Sequence, residues 1–304
     1  MDAADVLILG GGRWHADALL AAFARHGLLA RRASFDALEF AWNAPTAVRL
    51  VTGEPLPRAV LVRSIPAGSF EQVTFRLALL HALAGCGVVV VNEPGAIERC
   101  VDKATTSVWL RRAGLPTPPF WTTARREGAV AVLEHERRCG HRLVSKPLFG
   151  AQGQGIRMVQ RPEDLPGAED VAGVWYLQRY VGHSRDWHDY RVLVIDGRAV
   201  ACMRRRGQDW ITNIRRGARP EPVAGDGELE GLAVAAAAVL GTFFAGVDIL
   251  RDEEGRSWIL EVNSMPAWRG LQSVCPFDIA ERLAEAVRSR LDRQTPARPE
   301  PSVA

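Results

Sequence analysis

The reading of this chain turns on Gly246-Val-Asp-Ile-Leu250, a short turn, and then Trp258-Ile-Leu-Glu-Val-Asn-Ser-Met-Pro266. Val247, Ile249, Trp258, Leu260 and Val262 are large and apolar at every second position. Both segments are therefore expected to be strands with one buried face. Asp248 falls on the other face of the first strand, and Glu261 and Asn263 on the matching face of the second. An even-numbered loop through Asp252-Glu-Glu-Gly255 keeps those faces in register. A two-residue turn sets Asp248 opposite Glu261, and a four-residue loop sets them diagonally. Either way their Cβ atoms lie roughly 5–8 Å apart. Two carboxylates that close repel unless one is protonated or a cation sits between them. With the neutral oxygen of Asn263 they form a hard ligand set of the kind that takes Mg²⁺ together with substrate phosphates. The alternative is an exposed hairpin with scattered acids.

The 304 residues suffice for two or three domains around a sizeable core. A content of 47% hydrophobic and 24% charged residues is that of a soluble globular protein. A net charge of +3 is too small to argue for nucleic acid. The five cysteines form no C-x-x-C pair, which argues against a zinc or disulfide framework and fits a reducing cytoplasm. No basic-then-apolar leader opens the chain, so a cytoplasmic location is expected. Leu232 to Leu250 is nearly all apolar and long enough to cross a bilayer. Gly241, Gly246 and Asp248 interrupt it, so a buried Ala-rich helix, a turn and a strand are expected instead, with no membrane partner.

In chain order, Val6 to Leu9 reads as a strand running into Gly10-Gly11-Gly12, followed by a helix from about His15 to His26. The glycines could cradle a dinucleotide pyrophosphate, but their spacing is not G-x-G-x-x-G, and a packing turn is the other reading. Ala59 to Val62 is a further strand. Ser69-Phe-Glu-Gln72 forms a capping box, and Phe70, Val73, Leu77 and Leu80 make the buried stripe of its helix. Val88 to Val91 follows as a strand. Alternating strands and helices imply a parallel sheet through about residue 95. Val101 to Ala113 reads as a helix with Lys103 in its first turn. Arg142 to Pro147, carrying Lys146, and Ile156 to Val159 read as strands joined by Gly150-Ala-Gln-Gly-Gln-Gly155. Such a loop beside a Lys can fold over phosphates, or it is an ordinary glycine hairpin. Trp175 to Val181 is a strand near a domain junction. Asp189 to Ile195 and Arg198 to Arg205 form a hairpin about an Asp196-Gly197 type I′ turn. That turn pairs Asp189 with Arg204 and puts Arg191 on their face. Arg204 to Arg206, Arg215 and Arg216 gather positive charge around Trp210-Ile-Thr-Asn213. A nucleic-acid patch, an anion site and a solvated face are the readings, and the neighbouring acidic hairpin favours the anion site. A helix runs from Asp278 to about Arg290, and Thr295 to Ala304 reads as a disordered tail.

These ordered motifs resemble the ATP-grasp superfamily, and within it the RimK-like glutamate ligases, over roughly residues 88 to 275. The resemblance rests on Asn92, Ala96-Ile-Glu98, Asp102-Lys103, Gly114-Leu-Pro-Thr-Pro118, Lys146-Pro147 with the glycine loop, Gln178-Arg-Tyr-Val181, Asp189-Tyr-Arg191, Arg204-Arg205, Asn213, Gly246-Val-Asp248 and Glu261-Val-Asn263. It implies an α/β and α+β fold. A Rossmann-like domain over 1–95 precedes an ATP-grasp lobe over 96–182 with a glycine-rich lid. A second lobe with a Mg-binding hairpin covers 183–292, and the tail is 293–304. It implies ATP held by Lys103, Lys146, Gly150, Gln152, Gly153, Gly155, Gln178, Arg179, Tyr180, Val181, Asp189 and Asn213. Asp248, Glu261 and Asn263 would carry two Mg²⁺ ions, with Mn²⁺ as the alternative. The family places an Arg in the segment before Asn213, where this chain has Trp210-Ile-Thr, so part of the phosphate or acceptor contact is expected to differ.

The implied chemistry joins the amine of glutamate, or a similar amino acid, to the carboxylate of a small-molecule acceptor through an acyl phosphate. Phosphoryl transfer of this kind needs positioning and charge more than a nucleophile, and Arg191 and Arg204 are the candidates for that charge. Val62-Arg-Ser-Ile-Pro66, Gly68 to Thr74 and Arg76 are similar to the branch containing tetrahydromethanopterin:glutamate ligases. That implies a pterin-type acceptor, with Arg63 and Arg76 toward an acidic tail; the competing role for Arg63 is to tie its loop down. Alternatives are a non-catalytic ATP-binding regulatory module, a ligase acting on a protein C-terminus, a nicotinamide-dependent oxidoreductase and a nucleic-acid binder. Oligomeric state stays open, a homo-oligomer included.

Overall fold

A computed structural model describes residues 4–150, 153–183 and 185–294. Gln152 and the stretch 295–304 lie outside the described residues. The chain divides into two compact units. One is residues 1–94 with 265–268 and 277–304, and the other is 95–264 with 269–276.

The first unit begins with β1 (Val6–Leu9), α1 (Arg13–Arg25) and β2 (Ala30–Ala33). A small antiparallel pair, β3 (Leu38–Phe40) and β4 (Val48–Leu50), comes next, then β5 (Ala59–Val62), α2 (Phe70–Gly85) and β6 (Val89–Val91). The parallel sheet has the order β2-β1-β5-β6. All residues of β1, β5 and β6 are buried, as continuous apolar runs in a parallel sheet should be. The glycine turn after β1 serves packing. A Cβ on Gly11 would come within 2.6 Å of the Arg63 Cβ, and one on Gly10 within 2.5 Å of the Ser64 carbonyl oxygen.

The capping box at Ser69 and Gln72 is present. The stripe of α2 is not the expected one. Leu79, Leu80 and Leu83 are buried, whereas Phe70 is 80% exposed. The fully buried residues of α2 all lie in its C-terminal half. The final helix, Ile279–Arg293, belongs to this unit, where the sequence reading set it with the second lobe. It meets the end of α1 through Arg25 with Asp278 (3.2 Å) and His26 with Glu281 (2.8 Å).

In the second unit α3 (Pro94–Val101) breaks before α4 (Lys103–Arg112). One helix was expected across this point. Asp102 caps the second instead, its carboxylate accepting from the Ala104 and Thr105 N–H groups. A four-stranded sheet follows in the order β7-β10-β8-β9. Its strands are β7 (Phe120–Thr123), β8 (Leu143–Lys146), β9 (Arg157–Val159) and β10 (Trp175–Arg179), with α5 (Arg126–Arg138) between β7 and β8. Leu143, Val159, Trp175 and Leu177 pack with Ala129 and Leu133 of α5 on one face. Period two then puts Val144, Lys146, Tyr176 and Gln178 on the other.

The five-stranded sheet has the order β13-β12-β11-β14-β15. Its strands are β11 (His188–Ile195), β12 (Arg198–Arg206), β13 (Arg219–Pro222), β14 (Phe244–Arg251) and β15 (Ser257–Asn263), with α6 (Gly227–Leu240) before β14. Val192, Val194, Val247, Ile249, Ile259 and Val262 form its core face with Leu229, Ala233, Ala236, Ala237 and Leu240 of α6. The unit closes with α7 (Arg269–Gln272). Among the described residues no helix is long and apolar enough to cross a membrane.

Candidate active site

A cleft open to solvent lies within the second unit. Its walls come from the polar faces of both sheets, with α4 contributing Lys103 and the glycine loop Gly150 and Gly153.

The acidic hairpin supplies one wall. Asp248 stands directly opposite Glu261, and Gly246 opposite Asn263. The route to that pairing differs from the expected one. The connection is a five-residue loop, since Arg251 pairs with Ser257 and the Asp252 N–H donates to the Arg256 carbonyl. The Asp252 carboxylate organises this loop by accepting from the Glu254 and Arg256 N–H groups and from Trp258 Nε1. An odd loop would put Asp248 opposite Leu260. One extra residue in β15, a bulge between the two registers, restores the acid pair. The cost falls on the apolar alternation. Ile259, not Trp258 or Leu260, is the fully buried core residue, and Leu260 faces the cleft with Leu250.

The arginine hairpin is shifted by the same device. Its turn has positive φ at both Asp196 and Gly197, as a type I′ turn requires. A bulge past Leu193 then advances the far register, and Asp189 pairs with Arg205, not Arg204. Arg204 pairs with Tyr190 and shares the α6 face with it. There it binds Glu221 (2.6 Å), and its side chain is 37% exposed. Its expected place in the cleft is thereby corrected. The side chain of Arg205 is 3% exposed and bridges Asp189 (2.5 Å) and Asp248 (3.1 Å). Arg191 holds Asp248 in a bidentate pair, Nε to Oδ1 and Nη2 to Oδ2, both 2.7 Å. Burial acts against the charges here. The paired guanidinium groups nevertheless hold the Asp248 carboxyl below its usual range, and the two Asp charges push Arg205 up.

Opposite the acids stand two ammonium groups. Lys103 Nζ donates to the Gly150 carbonyl (2.9 Å) and lies 3.6 Å from Glu261. Lys146 Nζ donates to Gln178 Oε1 (2.6 Å). Burial lowers the Lys146 pKa to about 8, against the pull of Glu261. Gly153, at φ +74°, fits against the Asn213 segment without room for a side chain. A Cβ there would lie 2.8 Å from Asn213 Oδ1 and 3.0 Å from Ile211 Cγ2.

Of the sequence candidates, Lys103, Lys146, Gly150, Gly153, Gln178, Arg179, Tyr180, Val181, Asp189, Asn213, Asp248 and Glu261 line the cleft. Gly155, Asn263, Arg191 and Arg204 are not among its lining residues, though Arg191 reaches it through Asp248. Sequence reasoning missed Arg205 and Leu260, whose places depend on the two bulges. Trp210 also lines the cleft, edge-on to Tyr180 (5.9 Å).

The acid pair fits a hard divalent cation. Asn263 Nδ2 donates to the Gly246 carbonyl (3.4 Å), leaving Oδ1 as its acceptor end. The three guanidinium contacts on Asp248 leave about one of a carboxylate's roughly four lone-pair sites. Among the described residues no three His, Cys, Asp or Glu side chains are grouped for a metal.

The RimK-like ATP-grasp domain model matches residues 100–287. The chain belongs to this family. It is an ATP-grasp ligase of the amide-forming class. It is 34% identical over 211 residues to the tetrahydromethanopterin:alpha-L-glutamate ligase of Methanocaldococcus jannaschii, covering 66% of this chain and 70% of the relative. It is 28% identical over 211 residues to the alpha-aminoadipate–LysW ligase of Saccharolobus solfataricus, covering 66% and 74%. The ATP-grasp ligase PsnB, solved with a minimal precursor, superposes with a TM-score of 0.74 at 22% identity over 94% of this chain and 99% of that one, a likeness of fold.

Arg63 and Arg76, the two residues expected toward an acceptor, are both engaged within the first unit. Arg63 is buried, donates to the Pro266 carbonyl (2.6 Å) and lies over the Trp268 ring (4.5 Å). Burial lowers its pKa to about 9. Arg76 donates to the Pro66 carbonyl (2.8 Å). Both tie loops down.

Proposed function

We propose that the enzyme uses ATP to join the amine of glutamate to the carboxylate of a small acceptor, a pterin-type cofactor precursor being the best-supported class. The observation that carries the nucleotide part is the facing of Lys103 and Lys146, beside the glycine loop, with the Asp248–Glu261 pair in one cleft. The acceptor class is supported by the methanopterin-ligase relative.

In this reading Lys103, Lys146 and the backbone of Gly150 and Gly153 bind the phosphates. Tyr180, Val181, Leu250 and Leu260 enclose the base. Arg191 and Arg205 position Asp248, and Arg205 also positions Asp189. Asp248, Glu261 and Asn263 would hold Mg²⁺, which supplies charge neutralisation at the phosphates. The acceptor carboxylate oxygen attacks the γ-phosphorus, the bond to the ADP oxygen breaks, and an acyl phosphate forms. The amine then attacks the acyl carbon, phosphate leaves, and the amine loses a proton. A second reading is ligation to a protein C-terminus.

Incubation with ATP, Mg²⁺, isotopically labelled glutamate and candidate acceptors, read by mass spectrometry, tests the proposal. Label on a pterin-type carboxylate with stoichiometric ADP is expected. Glu261→Gln should retain its circular dichroism and lose at least about 100-fold in turnover, roughly 2.7 kcal/mol in the barrier. Label on a protein terminus alone would select the second reading. Glu261→Gln turnover within about threefold of wild type would remove Glu261 from the metal set.

A further inference from the structure

Behind the cleft wall the second unit holds a buried chain of hydrogen bonds that the ligase chemistry does not by itself require. Lys146 Nζ donates to Gln178 Oε1 (2.6 Å), and Gln178 Nε2 donates to the Tyr176 hydroxyl (3.1 Å). Tyr176 Oη and Ser107 Oγ lie 2.8 Å apart. Ser107 Oγ donates to the Lys103 carbonyl (2.8 Å).

The direction of every proton in this chain is fixed. An ammonium can only donate, so the Gln178 oxygen faces Lys146 and its NH₂ faces Tyr176. Ser107 spends its one proton on the Lys103 carbonyl, so the tyrosine must donate to Ser107. Burial raises the Tyr176 pKa, which keeps that donor protonated. Each of Ser107, Tyr176 and Gln178 is at most 3% exposed, and neither hydroxyl lines the cleft, so solvent offers neither Ser107 nor Tyr176 a substitute partner.

Sheet geometry explains how the chain closes. Tyr176 pairs directly with Lys146 across β10 and β8, and Gln178 follows two residues on, on the same face. Phe120, on β7, stacks on the Tyr176 ring at 6.2 Å with 16° between planes and holds it upright. The other end reaches the first turn of α4, whose first residue is Lys103.

We infer that Ser107, Tyr176 and Gln178 form a positioning relay that fixes the Lys146 ammonium and ties it to the first turn of α4, so that the two phosphate-binding lysines are set as a unit. The inference rests on the nucleotide reading of the cleft. Tyr176 is not among the residues that line it; its hydroxyl decides which end of the Gln178 amide Lys146 meets. Without that hydroxyl the buried Gln178 N–H loses its acceptor, and the amide can turn its NH₂ toward the ammonium.

Tyr176→Phe keeps the ring and removes the hydroxyl. It is expected to weaken binding of a non-hydrolysable ATP analogue by about tenfold, the effect of leaving one buried donor unsatisfied. Ser107→Ala removes only the last link, so its loss should be smaller. Thr106→Val is the control. That neighbouring hydroxyl donates to the Arg99 carbonyl (2.7 Å) and belongs to no part of the relay, so its loss should lower the melting temperature and leave affinity unchanged. The Gln178 side-chain amide protons, followed by NMR without nucleotide, supply an independent readout. They should exchange slowly in wild type and at least about tenfold faster in Tyr176→Phe.

If Tyr176→Phe binds the analogue as wild type does, or if its Gln178 amide exchanges no faster, the relay is overturned. Wild type that fails to bind the analogue would sink the nucleotide reading and the relay's role in binding with it. The amide exchange would then still report whether the chain holds Gln178.

Discussion

The acidic hairpin β14–β15 closes through a five-residue loop and has its extra residue at Leu260, within the strand. The arginine hairpin β11–β12 closes through the two-residue Asp196-Gly197 turn and has its extra residue at Val200. In the first, an odd loop and a bulge cancel, and Asp248 meets Glu261. In the second, nothing cancels the bulge, and every pair beyond it moves by one. Because successive side chains point to opposite faces, one residue of shift carries Arg204 to the α6 side and Arg205 into the cleft. The same covalent event thus preserves one functional pair and replaces another.

The largest expected effect separates the two adjacent arginines. Arg205→Leu leaves Asp189 and Asp248 buried without their shared cation, which should cost about 3–5 kcal/mol of stability. Arg204→Leu breaks a half-exposed pair and should cost no more than about 1 kcal/mol. Urea unfolding of both variants checks this. Equal losses would mean that the register shift does not exist in solution.

The other hairpin offers the matching test. Ile259→Ala empties a core position and should cost about 2–5 kcal/mol. Leu260→Ala should cost much less stability and instead weaken nucleotide binding by about 1 kcal/mol, roughly fivefold. Paired melting and calorimetry would reveal the inverse pattern if Leu260 were the core residue that simple alternation expects.

A smaller effect concerns pH. Lys146 is ammonium below about 8 and neutral above it in the empty cleft, because burial disfavours its charged form. Nucleotide affinity should therefore be level below that pH and fall above it, by at most about tenfold per unit. Bound phosphate favours the ammonium, so the fall starts near the pKa of the empty cleft and continues until the pH passes the higher pKa of the complex. Lys146→Arg, charged throughout, should show no such fall in calorimetric titrations between pH 7 and pH 10.

Much of this was legible from local chemistry. The glycine turn after β1, the Ser69 capping box, the type I′ turn and the lysine beside the glycine loop each announce themselves within a few residues; which of its two readings the glycine turn takes did not. The Asp248–Glu261 pair was legible for a weaker reason, since the expected even loop and the observed odd loop with bulge give the same parity. A bulge carries no compulsory residue type, so neither Val200 nor Leu260 marked itself, and Arg205 and Ile259 could not be assigned. The placing of Ile279–Arg293 beside α1 depends on contacts between distant segments, which periodicity does not encode. The roles of Arg63 and Arg76 depended on the carbonyls within reach, which only coordinates supply.

The central claim is that the cleft between the two sheets of the second unit is the nucleotide site. Its most direct test is calorimetric titration of a non-hydrolysable ATP analogue, with Mg²⁺, into wild type, Lys146→Ala and Arg58→Ala. Arg58 is an exposed basic residue of the first unit, paired only loosely with Asp5 (3.5 Å). Saturable binding to wild type, unchanged in Arg58→Ala and weakened at least about tenfold in Lys146→Ala, is the expected result. Equal affinities for the two variants would contradict the claim and leave the Gly150–Gly155 loop an ordinary turn.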